Sequence, residues 1–162
     1  MMARLSAAYP RLPLVMFGSE DERERSGRLL AAWKGSKANL CGVTFPRVSA
    51  AVLRSAAVMV CHDSGPMHLA ATMGVPCVAI FSARNPPGVW YPRGDGHSIL
   101  YHRTPCWGCK LTLCVEEKKA CILSITVEEV LTAIRKQLER RGIATEIVRA
   151  EIDGIAGGNE AP

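Results

Sequence analysis

Hydrophobic positions along the chain fall into short apolar runs separated by amphipathic stretches, and the two kinds alternate. Leu12 to Phe17 is an apolar run closed by Gly18, and Ala38 to Cys41 is a shorter one ended by Gly42. Ala57 to Cys61, Pro76 to Phe81 and His97 to Tyr101 continue the series. Apolar runs of about 4–8 residues bounded by turn formers predict buried strands. Helical patterns lie between and around them. Met1 to Tyr9 reads as a short helix stopped by Pro10. Ser19-Glu20-Asp21-Glu22 has the form of a capping box, in which the first side chain and the fourth each satisfy the other's backbone N–H. The helix it opens is expected to run to about Trp33, with Leu29, Leu30 and Trp33 facing inward. Thr44 or Phe45 leads into a helix through Val48, Val52 and Leu53. Thr126-Val127-Glu128-Glu129 is a second capping box, opening a helix with Val130, Leu131, Ile134 and Leu138 on one face. Arg135, Lys136, Arg140 and Arg141 occupy its later turns, where cations suit the helix dipole; a solvated face is the simplest reading of them.

Strands alternating with helices at this spacing predict an α/β fold with a doubly wound, Rossmann-like parallel sheet. One domain over residues 1–149 accommodates the pattern, and the glycine-bearing tail, 150–162, is expected to fray. Two irregular stretches interrupt it. Ser82 to Asp95 is a Pro-rich loop around Trp90 and Tyr91, and Cys106 to Cys121 is a Cys-rich loop.

One junction stands out. The apolar run from Val58 to Cys61 stops at His62-Asp63-Ser64-Gly65-Pro66, and a small-residue apolar run then continues to Met73 before Gly74. That order predicts buried strand, tight turn, helix and C-cap. Pro66 suits the first helical position, where a missing N–H costs nothing, and Asp63, Ser64 or Gly65 supplies the cap. Such a turn directs backbone N–H groups and the positive end of the helix dipole at one point beyond the strand's carboxyl end, a ready site for phosphate. His68 falls in the first helical turn, close enough to join it. The same turn also occurs with no ligand, so spacing alone leaves both readings open.

Composition narrows the class. In 162 residues, 48% are hydrophobic and 22% charged, which is globular and not disordered. The formal net charge of +5 favours an anionic partner such as a nucleotide or an anionic membrane surface; no nucleic-acid partner is expected. No apolar run approaches the roughly 18 residues that span a bilayer, and Met1 to Tyr9 lacks the apolar core of a signal peptide. The expected location is the cytoplasm, with at most peripheral attachment at the inner face of the membrane. In that setting the seven cysteines are thiols or metal ligands rather than a disulfide framework. Cys41, Cys61 and Cys77 lie in predicted strands and read as core residues. Cys106, Cys109, Cys114 and Cys121 admit a structural zinc, plain buried thiols, or an occasional disulfide. No metal is assigned to them at this point.

Asp63-Ser64-Gly65-Pro66-Met67-His68-Leu69-Ala70-Ala71 followed by Gly74-Val75-Pro76-Cys77-Val78-Ala79-Ile80-Phe81 resembles the donor-binding signature of glycosyltransferase family 9, the bacterial heptosyltransferases and their relatives in lipopolysaccharide synthesis. The likeness extends from about Leu12 to Leu131. It takes in Gly18-x-x-x-Glu22, the Pro-rich loop with its Trp, the Cys cluster, and an Ile-x-x-Glu-x-Val element at Ile125 to Val130. The resemblance implies the GT-B fold, two Rossmann-like domains facing across a cleft, with this chain as the C-terminal, donor-binding half. It implies diphosphate contact by Ser64, Gly65 and His68. Asp63 either holds the turn or contacts the donor sugar. Glu22 either accepts from ribose hydroxyls or serves as a capping-box carboxylate. The reaction implied is inverting transfer of a sugar from a nucleotide diphosphate, such as ADP-heptose, to a lipopolysaccharide-type acceptor. The catalytic base is expected in an N-terminal acceptor domain or a partner chain, so none is assigned here. A further strand before Leu12 is expected in the family, and its absence would leave the sheet edge near Leu14 and Val15 open. Two rival readings remain at this stage: a nucleotide- or anion-binding module without catalysis, and a structural domain stapled by its cysteines.

Overall fold

The computed structural model describes residues 1–144, and the tail at 150–162 lies outside the described residues. The chain divides into two compact units, residues 1–44 with the segment from Leu138 onward, and Phe45–Gln137.

The first unit holds α1 (Met2–Ala8), β1 (Leu14–Met16), α2 (Arg23–Leu30) and β2 (Lys37–Asn39). β1 and β2 pair in parallel, Leu14 opposite Lys37 and Met16 opposite Asn39. β1 has β2 as its one strand neighbour among the described residues, and Leu14 and Val15 beside its other edge are half-buried. Ser19 and Glu22 form the expected capping box, but it opens a single 3₁₀ turn, Glu20–Glu22, that feeds α2. The helix stops at Leu30, short of Trp33. Leu30 and Trp33 are buried as expected, whereas Leu29 is 47% exposed. The cause is local: the chain leaves the helix after Leu30, and Trp33 is fixed instead by its indole N–H donating to the Leu12 carbonyl at 3.2 Å. Beyond the helix Lys34 N–H donates to the buried Ser6 hydroxyl at 2.7 Å, tying α1 to the turn that leads into β2.

The second unit holds α3 (Pro46–Leu53), β3 (Met59–His62), α4 (Gly65–Thr72), β4 (Cys77–Phe81), β5 (Ser98–Tyr101), α5 (Ala120–Leu123) and α6 (Val127–Arg140), whose last turn from Leu138 is assigned to the first unit. Its sheet is parallel with strand order β3-β4-β5. β4 is central, which explains its unbroken apolar run: a strand covered on both faces gains from apolar side chains at every position. Cys77, Val78, Ala79 and Phe81 are buried there. Met59 faces Cys77 across the ladder, and Val78 faces Ser98. α/β architecture with parallel pairing is as the sequence pattern predicts. The ladders, however, are distributed over two sheets.

α6 presents Val130, Leu131, Ala133 and Ile134 to the core, and Arg135 and Lys136 are exposed on its other side, with Arg140 and Arg141 exposed beyond. Gln137 breaks the apolar face yet is 1% exposed. Its amide N–H groups donate to the Gly96 carbonyl at 2.7 Å and to the Ser98 hydroxyl at 2.8 Å, which satisfies a buried polar group at the entry to β5. The Pro-rich loop is held by aromatic packing. Tyr91 sits 4.9 Å from Phe81 and 6.5 Å from Tyr101, centroid to centroid, and the Tyr101 hydroxyl donates to the Asn85 carbonyl at 3.2 Å. Burial pushes the Tyr91 hydroxyl above its ordinary pKa.

Candidate functional site

β3 delivers the chain to His62, and Asp63 and Ser64 make the turn into α4. The N-cap is Ser64, in extended conformation with φ −158° and ψ 160°, and it makes no side-chain capping bond. Its hydroxyl instead donates back to the His62 carbonyl at 3.2 Å. Gly65 is the first helical residue and Pro66 the second, one place later than the sequence suggests. Pro66 still fits, because an N–H in the first turn has no partner within the helix. Met67 and Ala70 anchor α4 in the core. Asp63 and Gly65 are exposed, Ser64 and His68 half-buried, all at the carboxyl end of the parallel sheet.

Gly65 is informative because the fold itself does not require it. A Cβ there would meet no atom within 4 Å, and its φ lies outside the left-handed region.

Glu22 belongs to the first unit and the Asp63 turn to the second. One carboxylate oxygen of Glu22, Oε2, accepts from Ser19 N–H at 2.9 Å and from the Ser19 hydroxyl at 3.2 Å. A Cβ on Gly18 would lie 2.5 Å from that oxygen and 3.1 Å from the Cys41 sulfur. The Gly18-x-x-x-Glu22 spacing therefore has a structural cause: the glycine leaves room for the capping carboxylate.

The three strand cysteines are buried, as expected. A hydrogen bond with Cys77, reinforced by burial, pushes the Cys61 thiol far above its ordinary range. The other four line one cavity of about 220 Å³ together with Ser82, Arg84 and Lys119. Among the described residues no three His, Cys, Asp or Glu side chains are arranged to hold a metal ion.

Two histidines without a motif turn out to be structural. His97 Nδ1 accepts from Cys77 N–H at 3.0 Å, so its proton is on Nε2, which lies 3.0 Å from the Arg93 carbonyl. His102 Nδ1 lies 3.0 Å from the Ser124 hydroxyl, and its Nε2 lies 2.7 Å from Glu129. Apart from Arg93, four residues before His97, their partners lie 20 to 27 residues away, beyond any local signal.

The fold is parallel α/β, with the N-terminus of α4 at the carboxyl end of β3 and without a side-chain cap. The family model of glycosyltransferase family 9 (heptosyltransferase) matches residues 11–120, and the chain belongs to that family. It is 31% identical over 157 aligned residues to lipopolysaccharide heptosyltransferase 1 of Pseudomonas aeruginosa, an alignment covering 86% of this chain and 40% of that enzyme. Among solved structures it resembles the family 9 glycosyl transferase of Veillonella parvula, with TM-score 0.67 and 23% identity over 85% of this chain and 40% of the other. It also resembles E. coli ADP-heptose lps heptosyltransferase II, with TM-score 0.64 and 23% identity over 86% of this chain and 41% of the other. The chain thus spans about 40% of the length of the relatives it matches. No described helix is long and apolar enough to cross a membrane.

Proposed function

We propose that this chain is the donor-binding half of an inverting glycosyltransferase, of heptosyltransferase type, in lipopolysaccharide core synthesis. The observation that carries the reading is the α4 N-terminus, which lacks a side-chain cap and has open space above Gly65. A nucleotide-diphosphate sugar such as ADP-heptose sets its diphosphate against the amides that follow Ser64, with His68 alongside. Asp63 faces the donor sugar. Glu22 Oε2 is committed to the Ser19 N–H and hydroxyl.

In this reaction a base removes the proton of the acceptor hydroxyl, and the oxygen attacks the anomeric carbon from the face opposite the diphosphate. The carbon–oxygen bond to the diphosphate breaks as the new one forms. Negative charge grows on the departing phosphate, where the α4 amides stabilise it. His68 sits on the leaving-group side and cannot serve as that base. An N-terminal domain or partner chain supplies it and closes the cleft against water. The acceptor is a lipopolysaccharide-type lipid, so the assembled enzyme works peripherally at the inner face of the membrane. No metal takes part in transfer in this reading.

Labelled ADP-heptose and truncated lipopolysaccharide core test it, with and without a homologous N-terminal domain. Transfer is expected only when that domain is present. Appreciable turnover by this chain alone overturns the placement of the base. Failure of any nucleoside diphosphate to bind overturns the donor site.

A further inference from the structure

We propose that the segment between β5 and α5 is a membrane-docking loop, which lays Leu111, Leu113 and Val115 on an anionic lipid surface. The segment has no strand or helix of its own, yet it is held in place. Gly108 N–H donates to the Ala83 carbonyl at 2.7 Å, and Lys110 N–H donates to the Arg84 carbonyl at 2.8 Å, fixing it to the chain that leaves β4. His102 at its start is tied to Ser124 and Glu129 beyond its end. On this fixed base the aliphatic side chains point outward. Leu111 is 52% exposed, Leu113 72% and Val115 69%, three large aliphatics within five residues. Room for them exists on the other side. Thr112 and Cys114 line the cavity of about 220 Å³, whereas Leu113 and Val115 do not. A hydroxyl faces inward while its aliphatic neighbour faces out, the reverse of what burial in water favours. Single exposed apolar side chains are ordinary, but a cluster of them marks a contact surface.

Charge identifies the contact. Of the charged residues in this loop that do not line the cavity, Arg103, Lys110 and Lys118 stand against Glu116, and all four are exposed. A second copy of this chain, meeting the patch symmetrically, would set those cations against their own kind. Anionic headgroups instead pair with them and let the aliphatics enter the acyl boundary. The Arg103 guanidinium lies 3.8 Å from the centroid of the Trp107 ring, which is 38% exposed. An indole with a cation over its face suits the headgroup level, where Trp and Arg collect. Docking through this loop serves the lipid acceptor of the reading above, on which the choice of a membrane rests.

The test uses the full chain with vesicles of phosphatidylglycerol and phosphatidylethanolamine, against vesicles of phosphatidylcholine. The protein should sediment with the anionic vesicles, less so as salt is raised, and only weakly with phosphatidylcholine. L113E/V115E should lose sedimentation, and K110E/K118E should bind roughly tenfold more weakly. Both should melt close to wild type, because the altered side chains are exposed. Tryptophan emission should shift to the blue on anionic vesicles, and W107F should lose most of that shift while still sedimenting. Wild-type protein that ignores anionic vesicles overturns the assignment, as does L113E/V115E that sediments like wild type. So does binding that vanishes when a homologous N-terminal domain is added, since protein then covers the loop. Titration of the same samples with ADP reads the donor site separately: vesicle binding that fails while ADP still binds removes the docking loop and leaves the donor site standing.

Discussion

His102 Nε2 and Glu129 Oε1 stand 2.7 Å apart, joining the residue after β5 to the first turn of α6. The two ends of the Cys-rich segment are thereby brought together, since His102 also reaches Ser124. Glu129 is at once the capping-box carboxylate of α6: its Oε2 accepts from Thr126 N–H at 2.7 Å and from the Thr126 hydroxyl at 2.8 Å.

The Thr126 amide, then the Thr126 hydroxyl and His102, hold the Glu129 carboxyl below its ordinary range. A group whose pKa is lower in the folded state stabilises the fold fully above its unfolded pKa, near 4.5, and loses that contribution as pH falls through the folded value. Glu129→Gln should therefore melt earlier than wild type at pH 7, and the gap should narrow as the solution is acidified below pH about 4. Melting curves of both proteins across pH check this; a gap that is unchanged in acid refutes it. T126A, which removes the N-cap hydroxyl, should cost about 0.5–2 kcal/mol of stability at neutral pH.

Gly65→Val should leave the melting temperature close to wild type, since open space surrounds the new side chain, while abolishing nucleoside diphosphate binding. His68→Ala should weaken binding by about 1.5–3 kcal/mol, the worth of a hydrogen bond to a charged group. Calorimetric titration with ADP measures both. Undiminished affinity in folded Gly65→Val removes the site from α4.

Gly18→Ala should destabilise the first unit. Its methyl would press on Glu22 Oε2 and the Cys41 sulfur, disrupting the capping box at a cost of about 1–3 kcal/mol. Chemical denaturation reads this directly. The double variant Gly18→Ala with Glu22→Ala should recover part of the loss through the relieved clash.

Gln137→Leu keeps the volume of the side chain and removes its amide. The Gly96 carbonyl and the Ser98 hydroxyl then lose their donor, at a cost of about 1–3 kcal/mol. A lower denaturation midpoint with an unchanged slope is the expected result.

The sequence by itself determined the features whose causes are local. An apolar run ended by turn formers becomes a strand wherever it is covered, and Ser19–Glu22 and Thr126–Glu129 pair across three residues because one helical turn brings those positions together. The β3–turn–α4 junction was legible for the same reason, apart from the one-place shift at Pro66. Tertiary structure alone decided what depends on distant partners. Leu29 faces outward and Trp33 inward because Leu12, brought in by β1, accepts from the Trp33 indole. His97 finds Cys77 only once β4 and β5 pair in register, and Gly18 needs its bareness only because Glu22 folds back over it. Four cysteines become neighbours of one cavity through the course of an irregular loop, for which no periodic pattern exists. Periodicity encodes which side of an element is buried; it does not encode which other element arrives to cover it, because that choice is made by the packing of the whole chain.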